Sequence, residues 1–117
     1  MQSLSDFLRT LGDLHDCKIT ELTWSIRSKS VEMYFDDLMV NFEGLPEYHG
    51  PVAGSVSLTG VQHVFFDLDW SEKTLRVMEF SCEKIDKEFQ KASVLFSPSG
   101  KLQVVFSGAN FPGDLTS

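Results

Sequence analysis

Roughly seven short segments of this chain alternate apolar and polar residues, and clusters of Gly, Pro, Ser and Asp cut them apart. That is the pattern of antiparallel strands, in which successive side chains face opposite sides of a sheet. One segment departs from it. Leu4, Phe7, Leu8 and Leu11 fall at i, i+3, i+4 and i+7, which predicts a short amphipathic helix over 3–13 with Ser3 or Ser5 as N-cap and Gly12 at its end. So short a helix cannot stand alone, so its apolar stripe is expected across an open face or end of the sheet.

Leu22, Trp24 and Ile26 alternate with polar neighbours, Arg27-Ser28-Lys29-Ser30 turns the chain, and Val31, Met33 and Phe35 return as the second strand of a hairpin. Ile19 is out of phase with Leu22, which places a bulge or bend near Thr20. Past Asp36-Asp37 the alternation Leu38, Val40, Phe42 resumes in the other phase, implying a kink, and Glu43 to Gly54, rich in Gly and Pro, is the one long connection. Val56 and Leu58 mark a short strand and Gly60 a break. Val64, Phe66, Leu68 and Trp70 then form an inward face opposed by His63, Phe65, Asp67 and Asp69, and Ser71-Glu72-Lys73 turns the chain. Leu75 and Val77 are out of phase with Met78, Phe80 and Cys82, so a second bulge or sheet corner is expected there. Ile85 and Phe89 read as a turn of helix or an irregular crossing. Ala92, Val94 and Phe96 pair through Ser97-Pro98-Ser99-Gly100 with Leu102, Val104 and Phe106.

The expected architecture is mainly β, between all-β and α+β: a bent antiparallel sheet, sandwich or partly open barrel with one short N-terminal helix. All 117 residues are read as one domain, with the helix at 3–13, the β body at 17–107 and a polar tail at 108–117. The expected core holds Leu22, Trp24, Val64, Phe66, Leu68, Val94, Phe96, Val104 and Phe106.

Charge narrows the partners. Seventeen Asp and Glu against ten Lys and Arg give a net charge of −7, which repels phosphate backbones and anionic lipid and suits a basic protein or a cation. Neither nucleic acid nor a membrane is expected as a partner. The first residues lack a basic, apolar signal pattern, and the two cysteines, Cys17 and Cys82, form neither a CxxC pair nor a disulfide framework. A cytoplasmic protein with both cysteines as small buried hydrophobes is the simplest expectation.

Candidate chemistry is sparse. His15-Asp16 follows the helix and is expected to fix a turn, since a His-Asp metal site would need further ligands on a helical scaffold. His63, Asp67 and Asp69 share one strand face and, with His49, supply oxygen and nitrogen donors. An exposed strand face normally carries such polar residues, so a solvated outer face is the favoured reading and no retained metal is expected. There is no G-x-S-x-G elbow, and Gly50, Gly54 and Gly60 match no phosphate-binding loop. No catalytic residue and no cofactor are expected.

The run Leu14 to Ile19, the Trp24 strand, Phe42 to Tyr48 and the hairpin Leu95 to Gly100 together resemble a group of small uncharacterised bacterial β-rich proteins. The chain is also distantly similar to immunity-type proteins of bacterial toxin systems, several of which place a His-Asp pair ahead of a β-rich body. The resemblance implies a fold and supplies no catalytic residue. The leading expectation is a non-enzymatic domain that binds a protein, in the form of an immunity-type protein neutralising a basic toxin. Asp36, Asp37, Glu43 and Glu47 beside Tyr48 form its partner-binding surface. One alternative is a small-ligand or metal-binding domain using Leu14 to Asp16 and the Glu43–Gly54 loop. Another is a self-associating structural protein, a homo-oligomer, with Phe65 and Tyr34 in a shared face.

Overall fold

A computed structural model describes residues 3–68 and 73–113. Helix α1 spans Leu4–Thr10, where the Ser3 side chain accepts the Asp6 N–H as N-cap and Leu4, Phe7 and Leu8 are buried. Gly12, at φ 65°, ends it and leads into a 3-10 turn over Gly12–Leu14. The helix is therefore shorter than the expected 3–13, because left-handed backbone continues through Asp13 and Leu14.

The strands are β1 (Lys18–Ser25), β2 (Ser30–Phe35), β3 (Gly54–Thr59), β4 (His63–Leu68), β5 (Leu75–Lys84), β6 (Gln90–Ser97), β7 (Gly100–Phe106) and β8 (Gly108–Asn110). They form one antiparallel eight-stranded sheet in the order β4-β7-β6-β5-β1-β2-β3-β8. The fold is mainly β, as the alternation predicts.

Two kinks bend that sheet onto itself. β3 and β4 are one stretch broken at Gly60, and β7 and β8 one stretch broken at Ser107. The Ser107 N–H donates to the Thr59 carbonyl at 3.0 Å and the Gln62 N–H to that of Val105 at 2.8 Å, so the two ends of the strand order meet. On the other side β1 and β5 share two residue pairs, Lys18↔Arg76 and Ile19↔Leu75. The halves β1-β2-β3-β8 and β5-β6-β7-β4 thus face each other in a molecule 22 Å through its thinnest axis, close to two sheets with a side-chain layer between. Val31, Met33, Phe35, Val56 and Leu58 from one half meet Val77, Phe80, Val94, Phe96, Leu102, Val104 and Phe106 from the other. Leu4, Phe7, Leu8 and Leu11 cap one end of this core, and Phe7 stacks on Phe111 with ring centroids 4.6 Å apart.

Both bulges are where the phase changes place them, between Ile19 and Glu21 in β1 and between Val77 and Glu79 in β5. The hairpins β1–β2 and β6–β7 also form, the second through a cis Ser97–Pro98 bond.

Five further expectations need correction. Leu38, Val40 and Phe42 make no strand: the chain curls into a 3-10 turn at Val40–Phe42, because Asp37 accepts the Met39 N–H at 2.9 Å and closes a local turn. The tail is not wholly outside the sheet, since Gly108–Asn110 pairs with β3 and Phe111 reaches the helix. Ile85 to Phe89 is neither helix nor crossing but the β5–β6 turn, held by the Glu88 and Phe89 N–H groups on Asp86 at 2.8 and 2.7 Å. Cys17 is fully buried, yet Cys82 is half-buried, its thiol donating to Gln90 Oε1 at 3.1 Å. Trp24 is 54% exposed rather than core.

The fifth correction has a geometric cause. Leu22, Trp24, Val64, Phe66 and Leu68 do face inward, and the Trp24 and Phe66 rings lie 4.9 Å apart. They sit at the end of the sandwich that no helix among the described residues covers. β1 outruns β5 there, leaving Leu22, Val64, Phe66 and Leu68 only partly buried and an apolar cleft on each side of the Trp24 ring. Asp69 and Trp70 lie outside the described residues.

Candidate functional site

Asp37 has one neighbourhood and Asp36, Glu43 and Glu47 another. Asp37 is 8% exposed, the one buried charged residue among those described. Its Oδ1 accepts the N–H groups of Met39 at 2.9 Å and Val52 at 3.1 Å, and its Oδ2 accepts the Tyr48 hydroxyl at 2.7 Å. One carboxylate thus ties both ends and the middle of the long connection together, which is how a stretch holding several glycines and prolines keeps a single conformation. Tyr48 is half-buried by the same contact, and its hydrogen bond to Asp37, followed by burial and the nearby carboxylates of Asp37, Glu43 and Asp36, pushes its hydroxyl up to about 12. The structure brings Asp37 and Tyr48 together, and their hydrogen bond anchors the loop.

Asp36, Glu43 and Glu47 remain exposed. Next to them the outward faces of β1 and β2 add two carboxylates absent from the expected set. Glu21 stands opposite Tyr34 and Thr23 opposite Glu32 in the β1–β2 register. The Tyr34 hydroxyl donates to Glu32 Oε1, and the Ser55 hydroxyl to Glu32 Oε2 at 3.2 Å. That bond to Glu32, then burial and the charges of Glu32 and Glu21, raise the Tyr34 hydroxyl above its usual range. Thr20, Glu21, Tyr34, Asp36, Gly54 and Ser55 line a shallow open groove of about 440 Å³. The signal that could have found this surface is in the sequence: no Lys or Arg occurs between Lys29 and Lys73, whereas Glu32, Asp36, Asp37, Glu43, Glu47, Asp67, Asp69 and Glu72 do.

Acid also surrounds Cys17. Burial first, then the charges of Asp37, Asp36 and Asp16, push its thiol up to about 12, so it stays a neutral packing group and a poor nucleophile.

The His15–Asp16 junction does structural work. His15 Nδ1 lies 2.7 Å from the Met78 carbonyl at the β5 bulge, and the Asp16 N–H donates to Val77 at 2.8 Å, so the pair continues the β1–β5 seam. Asp16 Oδ2 lies 3.7 Å from His15 Nε2. On β4, His63, Phe65 and Asp67 are exposed on one outer row. The Lys101 ammonium lies 5.3 Å from the Phe65 ring centroid, and Lys101 is the register partner of Asp67. Among the described residues no three His, Cys, Asp or Glu side chains gather as metal ligands. Phe65 and Tyr34 project from opposite halves of the folded sheet, so they do not share a face.

No protein-family model matches the chain, and no curated protein matches it. Among solved structures it is similar to the crystal structure of an uncharacterised protein from Neisseria gonorrhoeae, with a TM-score of 0.52 and 10% identity over 86% of this chain and 93% of that one. The likeness is one of fold, to a small bacterial β protein. No helix among the described residues is long and apolar enough to cross a membrane.

Proposed function

We propose that this protein is a non-enzymatic binding module whose acidic side engages a basic protein partner, with neutralisation of a basic toxin in the manner of immunity-type proteins as its specific form. The observation that carries the reading is the pairing of charge with rigidity. Glu21 and Asp36 line one groove, Glu32 is hydrogen-bonded to its Tyr34 and Ser55, Glu43 and Glu47 stand on the adjoining loop, and Asp37 pins that loop from beneath. A preorganised surface on which carboxylates outnumber Lys and Arg attracts a cationic partner over distance and loses little entropy on contact. The other half is mixed, with Arg76, Lys84, Lys91 and Lys101 interspersed among Glu79 and Glu83, so the field is one-sided.

A photo-crosslinking residue at position 43, introduced in the native host, identifies the partner. Its association with the purified protein is then followed against salt. The expected partner is basic, and its on-rate falls at least about tenfold when Asp36, Glu43 and Glu47 are replaced by Lys, with the salt dependence largely abolished. A neutral or acidic partner, or one whose association ignores these charges, refutes the proposal.

A further inference from the structure

The seam where β1 meets β5 puts two cations side by side. Lys18 and Arg76 are directly opposed across the strands, both side chains exposed on the outer face. Like charges in that position repel and weaken a strand pair. Among the described residues the ion pairs are Arg9–Asp6 and His15–Asp16, so neither cation has a carboxylate partner there. Asp36, whose N–H bonds the Lys18 carbonyl at 3.2 Å, makes no ion pair with it. In a chain with a net charge of −7, such a pair of cations, unrelieved among the described residues, is a seat for an anion.

The surroundings fit such an anion. Lys18, Thr74, Arg76, Ser97 and Pro98 line a groove of about 380 Å³, with Ser97 next to Arg76 on the other side through the β5–β6 register. Two cations and two hydroxyls give a donor set for a carboxylate or phosphate, with the guanidinium able to bind two oxygens at once. Thr74 also lines the apolar cleft of about 240 Å³ beside Trp24, together with Leu22, Leu68 and Leu75 and with Lys73 and Glu21 at its edge. The two spaces share Thr74, where the β1–β5 seam ends and the outer groove reaches the inward-facing cleft, and together they are of the size of small-molecule sites, roughly 300–1,000 Å³.

We propose that this composite site binds a small amphiphilic anion, its carboxylate or phosphate head between Lys18 and Arg76 and its apolar body along Leu22, Trp24, Leu68 and Leu75. The site meets the acidic surface described above at Glu21, but its cations and its apolar wall are not part of that surface and the proposal does not depend on it.

Calorimetric titration with four probes, each below its aggregation concentration, tests this: decanoate, decyl phosphate, decanol and inorganic phosphate. One decanoate or decyl phosphate is expected to bind per chain, and the ratio of their affinities assigns the head group. Decanol and inorganic phosphate, each lacking half of the ligand, are expected to bind at least about tenfold more weakly. Arg76→Gln and Lys18→Gln are surface changes that leave the fold intact, and each is expected to weaken decanoate about tenfold while leaving decanol unaffected. Trp24→Ala weakens decanoate and decanol but not inorganic phosphate. Equal binding of decanol and decanoate, decanoate binding that survives the double Lys18→Gln, Arg76→Gln change, or no binding of either anion at millimolar concentration overturns the proposal.

Discussion

Asp37 shows how one buried carboxylate can replace a hydrophobic core in a loop. Removing it in Asp37→Ala leaves the Met39 and Val52 N–H groups and the Tyr48 hydroxyl without their acceptor. Such a loss costs about 2–3 kcal/mol of unfolding free energy in chemical denaturation. Asp37→Asn keeps an oxygen for the two N–H groups and offers an N–H to the Tyr48 oxygen, so the expected loss is about 1 kcal/mol. Equal losses in the two variants would show that charge rather than hydrogen bonding holds the loop. Tyr48 and Cys17 add a pH dependence. Their ordinary values of 10.0 and 9.0 are both raised to about 12 in the fold, so the native state favours their neutral forms. Their contribution is fully present below pH 9 and is lost as pH rises towards 12. Denaturation midpoints are expected to fall across that alkaline window, less steeply in Tyr48→Phe. A wild-type midpoint flat across it contradicts the assignment. None of this was legible in the sequence, where Asp37 is indistinguishable from Asp36: which of two adjacent carboxylates turns inward is decided by a loop whose other end is fifteen residues away.

At the scale of elements, the alternation revealed strands, bulges and hairpins because each depends on neighbours close in the chain. It missed what depends on distant pairing. β8 is three residues held by β3, and its own sequence carries too little apolar periodicity to announce it. Trp24 has the phase of a core residue and the exposure of a rim residue, because periodicity reports the direction of a side chain and not whether a second layer reaches it. The kink at Gly60 is the element on which closure turns. Gly60 has φ 60°, and a Cβ there would press on the Ser107 side chain. Gly60→Ala is therefore expected to destabilise by about 1–2 kcal/mol from backbone strain, with the Ser107 clash added. Amide exchange should show the loss at Ser107 and Gln62, whose N–H groups bond across the kink. Unchanged protection there would mean that the two halves are held together without it.

Over the whole molecule, folding a single sheet in two separates the charges that the chain carries in sequence. One half and its loop present Glu21, Glu32, Asp36, Glu43 and Glu47, with Lys18 at the seam and Arg27 and Lys29 in the β1–β2 turn, and the other mixes signs throughout. The acidic candidate residues were legible from composition and position. Their partition into an anchor, Asp37, and a surface, Asp36, Glu43 and Glu47 joined by Glu21 and Glu32, required the register. The most direct measurement is a map of backbone amide shifts in the complex with the crosslinked partner. Perturbations centred on Glu21, Glu32, Asp36, Glu43 and Glu47, weakening with added salt, are the expected result; perturbations centred on the outer face of β4, β7 and β6 around Phe65 and Leu95, insensitive to salt, would contradict it.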